Sequence, residues 1–503
     1  MFRMTVDGFL SASALRSPSK VAVMAGGRSV GYAQLDAEVS RFARALLAHG
    51  VRPGDRVTVI LPNSLEMVIL FYAISRCGAV LVPLNPMFTD HELAYILGDA
   101  GVSLAVCRRS HTERLHALKA GTGLRDVVEI DNMEALTAFT AGQDSRSLAP
   151  PEDVTTHSIL YTSGTTGRPK GAVMSHWSRI YNSLTCQIGY EIGSGTRMNC
   201  APPLFHSGAM LLAMINVIAS GGTLLIPADA GPESTRHAMQ EQGANYLLAV
   251  PTIIRRLVDD PAFGAVARGR AFSLMHGGAG MPLALAEQML RDWPQCRPFH
   301  AYGATEAPQL TVLPPDEYAS NLGATGRALP GMDVRVCRQD GSPAAVGEDG
   351  EIVTSGPHIL DRYLNQPGAT AQRVRGGGFW TGDIAAIDER GIITISGRSS
   401  DLIISGGLNV YAREVEDVLH AIPGVAHAAV FGMPDPEWGE AVGAAVVPKA
   451  DAELSAEALI EACRQRLASY KKPRHVWFVE ELPLTPAGKV QKFKLVERFA
   501  KKQ

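Results

Sequence analysis

Helical spacing alternates with short β-branched runs through the first hundred residues, and that alternation confines the chain to a few α/β architectures. Between Ala33 and His49 apolar residues fall at Leu35, Val39, Phe42, Leu46 and Leu47, the spacing of one helix face, and Gly50 stops the run. The stretch 56–61 then reads as a buried strand, 66–77 as helix, 79–83 as strand, 91–100 as helix and 103–107 as strand. Further strands are expected at 159–162, 223–226, 246–250 and 273–276. The pattern predicts doubly wound α/β sheets. At 503 residues, 46% of them hydrophobic, the chain exceeds one compact domain and can bury more than one core.

After about Asn321 the texture changes to short β-prone pieces separated by Gly and Asp, which predicts a small barrel-like β unit. Beyond Gly397, helical patterns at 412–420 and 456–467 flank strand patterns at 426–431 and 441–448, as in a compact α+β tail. The domain boundary is expected near Arg398, giving domains 1–398 and 399–503. The last forty residues hold eleven Lys or Arg against three Glu, a basic face that can be merely solvated or can meet an anionic cofactor. The net charge of −3 offers no global field for nucleic acid or an anionic membrane. Seven cysteines form no C-x-x-C pair, which suits reduced thiols in the cytoplasm. The start of the chain lacks a secretory pattern, and the longest apolar stretch, 208–219, is shorter than the roughly 20 residues of a membrane span.

The run Tyr161-Thr162-Ser163-Gly164-Thr165-Thr166-Gly167-Arg168-Pro169-Lys170-Gly171 holds what a backbone needs to wrap a polyphosphate. Glycines permit close approach, hydroxyls and peptide N–H groups donate, and Lys170 adds a cation. In a Walker A loop the lysine directly follows a glycine and precedes Ser or Thr; here Pro169 precedes Lys170 and Gly171 follows it. Further motifs lie at wide intervals: Tyr302-Gly303-Ala304-Thr305-Glu306, Thr381-Gly382-Asp383, Gly397-Arg398-Ser399-Ser400-Asp401 with Gly406-Gly407, and Pro483 to Lys489. Each alone is an ordinary turn; their joint presence in this order is not.

This combination resembles the adenylate-forming superfamily of acyl-CoA synthetases, peptide-synthetase adenylation domains and luciferases, and the resemblance covers nearly the whole chain, from Val30 to Lys489. It implies a large N-terminal domain of α/β sheets plus a β-barrel, and a small mobile α+β C-terminal domain. It also implies an AMP-forming acid–CoA ligase that uses ATP, Mg²⁺ and coenzyme A. The partner would be a small-molecule carboxylic acid, with no nucleic acid and no integral membrane segment, and with a homo-oligomer left open.

By the same resemblance, Thr162, Ser163, Gly164, Thr165, Thr166, Gly167 and Lys170 would cradle the β- and γ-phosphates. Gly277, Gly278 and Ala279 would line the adenine and acyl sites, and Tyr302, followed by Gly303, would stack on the adenine. Thr305 would bond the α-phosphate, Glu306 would hold the metal ion, and Asp383 with Arg398 would take the ribose hydroxyls. Lys489 would stabilise charge on the α-phosphate during adenylation, after which the small domain would rotate and present Gly406 and Gly407 to coenzyme A.

Two positions depart from the family pattern. The hinge, two residues after Arg398, is Ser400 where Asp or Lys is usual, and Asp361-Arg362-Tyr363 lacks the glycine that more often precedes the tyrosine. His206 follows Phe205 where amino-acid-activating relatives place an aspartate for the substrate ammonium. An ammonium buried without its counter-charge is costly, so a simple carboxylic acid is expected, with His206 as pocket wall or gate. The pocket segments around Met210, 249–252 and 275–279 are mostly apolar, suiting a medium- or long-chain fatty acid, with an aryl acid or a carrier-protein thiol acceptor as alternatives.

Overall fold

The computed structural model describes residues 5–146, 148, 154–162, 169–405, 408–450, 452–484 and 490–500. Its larger part is built on two extended sheets. One has seven strands in the spatial order Arg362–Tyr363, Lys170–Ser175, Thr156–Thr162, Val80–Pro83, Arg56–Ile60, Val102–Cys107, Asp126–Glu129. Its centre is parallel, and towards one edge lies the antiparallel hairpin of Thr156–Thr162 with Lys170–Ser175, to which Arg362–Tyr363 adds the edge strand. The other has nine strands, with Tyr246–Ala249, Phe272–Gly277 and Cys296–Tyr302 running parallel side by side.

The helices expected from apolar periodicity are present with ends shifted by a residue or two: Tyr32–Ala48, Leu65–Arg76 and Asp90–Ala100. Leu65–Arg76 shows why such elements form. Ser64 caps it by accepting the Met67 N–H at 3.2 Å, and its near-continuous apolar sequence leaves no face for water. All twelve of its residues are buried, including Arg76, which pairs with Asp36 at 2.6 Å and Asp7 at 3.4 Å. The apolar stretch 208–219 is helical throughout and contains a π turn, Met210–Ile215, with all six residues buried.

The β unit that follows is a five-stranded antiparallel sheet whose long strand, Gly378–Ile387, pairs with Gly350–Ser355, Val374–Arg375 and Ile393–Arg398. The smaller C-terminal part has its own sheet, Leu402–Ser405, Leu408–Tyr411, Val425–Asp435, Gly439–Pro448 and His475–Phe478. Helices Ala412–His420 and Ala456–Arg466 cover a separate apolar core that includes Val415, Leu419, Val430, Val446 and Leu459. The architecture is thus α/β, with a large N-terminal domain and a smaller C-terminal one. Among the described residues no helix is long and apolar enough to cross a membrane, and all seven cysteines are free.

Candidate active site

The strand Cys296–Tyr302 delivers the first cluster. It ends at Tyr302, whose hydroxyl donates to Asp383 Oδ2 at 2.7 Å. Asp383 stands on Gly378–Ile387 directly opposite Arg398 in the antiparallel register, and Arg398 Nε donates to its Oδ1 at 3.0 Å. The Asp383 carboxylate is buried, while the Arg398 side chain is 52% exposed and available to a ligand. The adjoining Asp383 charge pushes the Arg398 guanidinium still higher than usual, and burial drives the Tyr302 phenol well above its ordinary value. Both groups therefore hold their protons at neutral pH. Asp383 still has acceptor capacity beyond its two bonds, since a carboxylate can accept about four.

Beyond Tyr302 the chain makes a tight turn, closed by bonds between Ala304 and Ala307 in both directions at 2.9 and 3.2 Å. The turn places Thr305 and Glu306 half-buried at its tip, and Leu360 N–H fastens it through the Glu306 carbonyl at 2.7 Å. Gly303 is required sterically, because a Cβ there would collide with the Pro308 carbonyl. Gly277 is similar: its Cβ would strike the Ala301 carbonyl of the neighbouring strand. The glycine at 277 thus serves close strand packing. Gly278, at φ +77°, turns the chain outward so that Gly278 and Ala279 are exposed.

A second cluster forms where the hairpin meets this turn. Thr162 and Lys170 face each other as the last described pair of the hairpin. Thr162 Oγ1 donates to Glu306 Oε1 at 3.4 Å, and the same oxygen accepts from the Tyr363 hydroxyl at 2.8 Å. The Lys170 ammonium lies 5.7 Å from the centre of the Tyr363 ring, within cation–π reach. The sequence marks Tyr363 only as part of the segment Asp361-Arg362-Tyr363 that departs from the family pattern, with no role attached; the pairing of Arg362–Tyr363 with the Lys170–Ser175 strand is what brings it here.

His206 starts the short helix Ser207–Ala209, half-buried, with its ring centre 4.4 Å from that of Phe205. The π turn follows directly, a feature frequent at functional sites. From the smaller domain, Arg413 reaches across, donating to the Ile395 carbonyl at 3.4 Å and coming close enough to Gly280 that a Cβ there would lie 3.0 Å from its guanidinium carbon. Ser163, Gly164, Thr165, Thr166, Gly167, Gly406, Gly407 and Lys489 lie outside the described residues.

The profile of the AMP-binding enzymes matches residues 10–364, and that of the AMP-binding enzyme C-terminal domain matches residues 414–489. The chain belongs to the adenylate-forming acyl-CoA synthetase family. Among its relatives, a feruloyl-CoA synthase of Amycolatopsis sp is 36% identical over 491 residues, covering 96% of each chain. A 2-succinylbenzoate–CoA ligase of Geobacillus kaustophilus is 33% identical, over 97% of this chain and 96% of that one. The long-chain-fatty-acid–CoA ligase FadD13 of Mycobacterium tuberculosis is also 33% identical, over 93% of each. Among solved structures, ATP-bound MatB from Rhodopseudomonas palustris superposes with a TM-score of 0.92 at 32% identity over 99% of each chain. The apo form of MatB gives 0.79 over the same share. This acyl-CoA synthetase is therefore an acid–thiol ligase with the fold expected of the family.

Proposed function

We propose that this ligase activates an apolar carboxylic acid as its adenylate and passes the acyl group to coenzyme A, releasing AMP and pyrophosphate. The observation that carries the reading is the meeting, over one turn, of Tyr302–Asp383–Arg398 with Thr162–Lys170–Glu306–Tyr363. One cluster suits a nucleoside and the other a polyphosphate.

A carboxylate is a poor electrophile, so it first needs a better leaving group. A carboxylate oxygen of the substrate attacks the α-phosphorus, the bond from that phosphorus to the bridging oxygen breaks, and pyrophosphate departs. The coenzyme A thiolate then attacks the acyl carbon of the mixed anhydride, and its bond to the AMP oxygen breaks. Lys170 and the loop it follows steady the β- and γ-phosphates. Thr305 bonds the α-phosphate, and Tyr302 with Asp383 and Arg398 holds the nucleoside. Lys489 supplies positive charge at the α-phosphate in the first step only.

The oxygen donors around Glu306, a carboxylate beside the Thr162 and Tyr363 hydroxyls, are the hard type that suits Mg²⁺. Glu306 would hold the ion, which when bound neutralises phosphate charge. The two lobes divide near Arg398, with Ser400 at the pivot. The higher TM-score against ATP-bound than apo MatB supports taking the present arrangement as the one used for adenylation. Seven free cysteines suit a reducing, cytoplasmic setting.

His206 and Phe205, with the apolar π turn behind them, form one wall of the acyl pocket. A medium- or long-chain fatty acid fits such a wall, and so does an aryl acid. The relatives named for feruloyl and succinylbenzoate substrates place aryl acids at the head of the test panel. The test offers cinnamates, benzoates and fatty acids with ATP, Mg²⁺ and coenzyme A. Thioester and AMP are expected for at least one class, and a carrier-protein acceptor would show instead as adenylate without thioester. ADP in place of AMP would reject the mechanism.

A further inference from the structure

We propose that Tyr363 is a positioning residue that sets the Glu306 carboxylate for the cation accompanying the nucleotide, and that its ring supports Lys170 on the phosphate side. The inference rests on the reading of Glu306 as the residue that holds the ion.

Tyr363 is fastened at its backbone before its side chain does anything. It pairs with Ala172 across the hairpin edge, its N–H donates to Thr370 Oγ1 at 3.0 Å, and the next residue, Leu364, donates to the Gly171 carbonyl at 2.8 Å. The residue is 5% exposed, so its hydroxyl has little recourse to water, and it donates to Glu306 Oε1 at 2.8 Å. Leaving a buried hydroxyl unpaired is costly, so the bond constrains the carboxylate as much as the phenol. Among the described residues both bonds to the Glu306 side chain, from Thr162 and Tyr363, fall on Oε1, which leaves the lone pairs of Oε2 for a cation. A hydroxyl on one oxygen and an ion on the other is how an outer partner orients a ligating carboxylate.

The same ring lies 5.7 Å from the Lys170 ammonium. One side chain therefore touches the carboxylate assigned to the metal and the lysine assigned to the phosphates. Their charges are opposite, and left alone they could pair with each other; the phenol between them offers each a separate partner.

Binding of Mn²⁺ in the presence of ATP, followed by electron paramagnetic resonance, tests the first part. Tyr363→Phe keeps the ring and removes the hydroxyl, and it should weaken Mn²⁺ binding about 10-fold. Binding of a fluorescent ATP analogue in EDTA should stay within about twofold of the parent, since the ring under Lys170 remains. Tyr363→Leu should weaken that metal-free binding as well. Glu306→Gln should weaken Mn²⁺ binding at least as much as Tyr363→Phe, and the double variant should add less than about twofold to it, because the two residues act through one contact.

If Tyr363→Phe keeps full Mn²⁺ affinity while Glu306→Gln loses it, the role of Tyr363 falls and the reading of Glu306 stands. If Tyr363→Phe weakens Mn²⁺ equally with and without Glu306, the tyrosine acts on structure alone and the proposal is overturned. If Glu306→Gln itself binds Mn²⁺ normally, both readings fall.

Discussion

The two domains solve opposite problems. In the large domain the candidate site residues stand on strands or on the turn that follows one, and most make a hydrogen bond to a residue from another element: Tyr302 to Asp383, Asp383 to Arg398, Glu306 to Tyr363. The small domain keeps apolar side chains in the open near the segments to which the proposed function assigns a role, with Ile404 and Leu408 about half exposed beside positions 406–407, and Leu484 and Phe493 on either side of position 489 in the chain. The contrast teaches that the large-domain half of the proposed site is held by bonds between its own elements, whereas the proposed function asks the small domain to bring its half in one step and withdraw it in the next.

The largest expected effect breaks the comparison at its moving part. Lys489→Ala should slow adenylation about 10²- to 10³-fold, the loss typical of removing one preorganised charge-stabilising group. Thioester formation from supplied acyl-adenylate should stay near the parent rate. Equal losses in the two half-reactions, measured by pyrophosphate exchange and by thioester release, would mean that the small domain does not change place between steps.

The next is a pH effect concentrated in the large domain. Burial lowers His300 and His358 to about 4 and also lowers His157, His176 and His276, whereas in the small domain His420 alone shows such a shift among the described residues. The unfolded chain takes up these protons near its ordinary histidine value of about 6.5, so stability is full above that pH and falls as pH drops toward 4. Each group at about 4 can contribute up to roughly 3 kcal/mol to that loss. Calorimetry from pH 7 to pH 4.5 should move the large-domain transition down by more than the small-domain one; the reverse order would contradict the burial argument.

Tyr302→Phe probes the built half more gently. It removes one charge-assisted bond to Asp383 while keeping the ring, and the KM for ATP should rise about 10-fold at a cost of roughly 1.5 kcal/mol. An unchanged KM would mean that Asp383 is oriented by Arg398 alone.

The smallest effect concerns the contact between the halves. Arg413→Ala deletes the bond to the Ile395 carbonyl and the approach to Gly280, and a partly exposed interaction of this kind contributes about 0.5–1 kcal/mol. Adenylation should fall two- to fivefold, with cleavage by trypsin near Arg398 becoming faster as the present arrangement is less populated. Slower cleavage would show that Arg413 favours a different arrangement.

Local pattern made much of this readable. Helix 412–420 follows from its apolar stripe, and Tyr32–Ala48 and Thr223–Ile226 from period and β-branching, because each buries one face or both against neighbours that need not be known in advance. The motif residues Tyr302, Glu306, Asp383 and Arg398 were legible as a set because each sits in a glycine-bearing motif of unusual composition. Tyr363 was not, and neither were Arg413 and the steric demand on Gly277, since each depends on an atom from a distant element: Glu306, Ile395 and Ala301 respectively. The π turn at Met210–Ile215 was also hidden, because an apolar run has the same hydropathy in either helical form.

The order of residues by itself determined the fold class, the family and the kinds of side chain available for binding a nucleotide, because periodicity and motif chemistry are properties of neighbouring residues. Tertiary structure decided which oxygens of Glu306 and Asp383 are already bonded, which glycines yield to a neighbouring carbonyl, and which tyrosine stands beside Lys170. Those are matters of a few tenths of an ångström between segments up to about two hundred residues apart, and hydrogen bonds and close packing act only at that range.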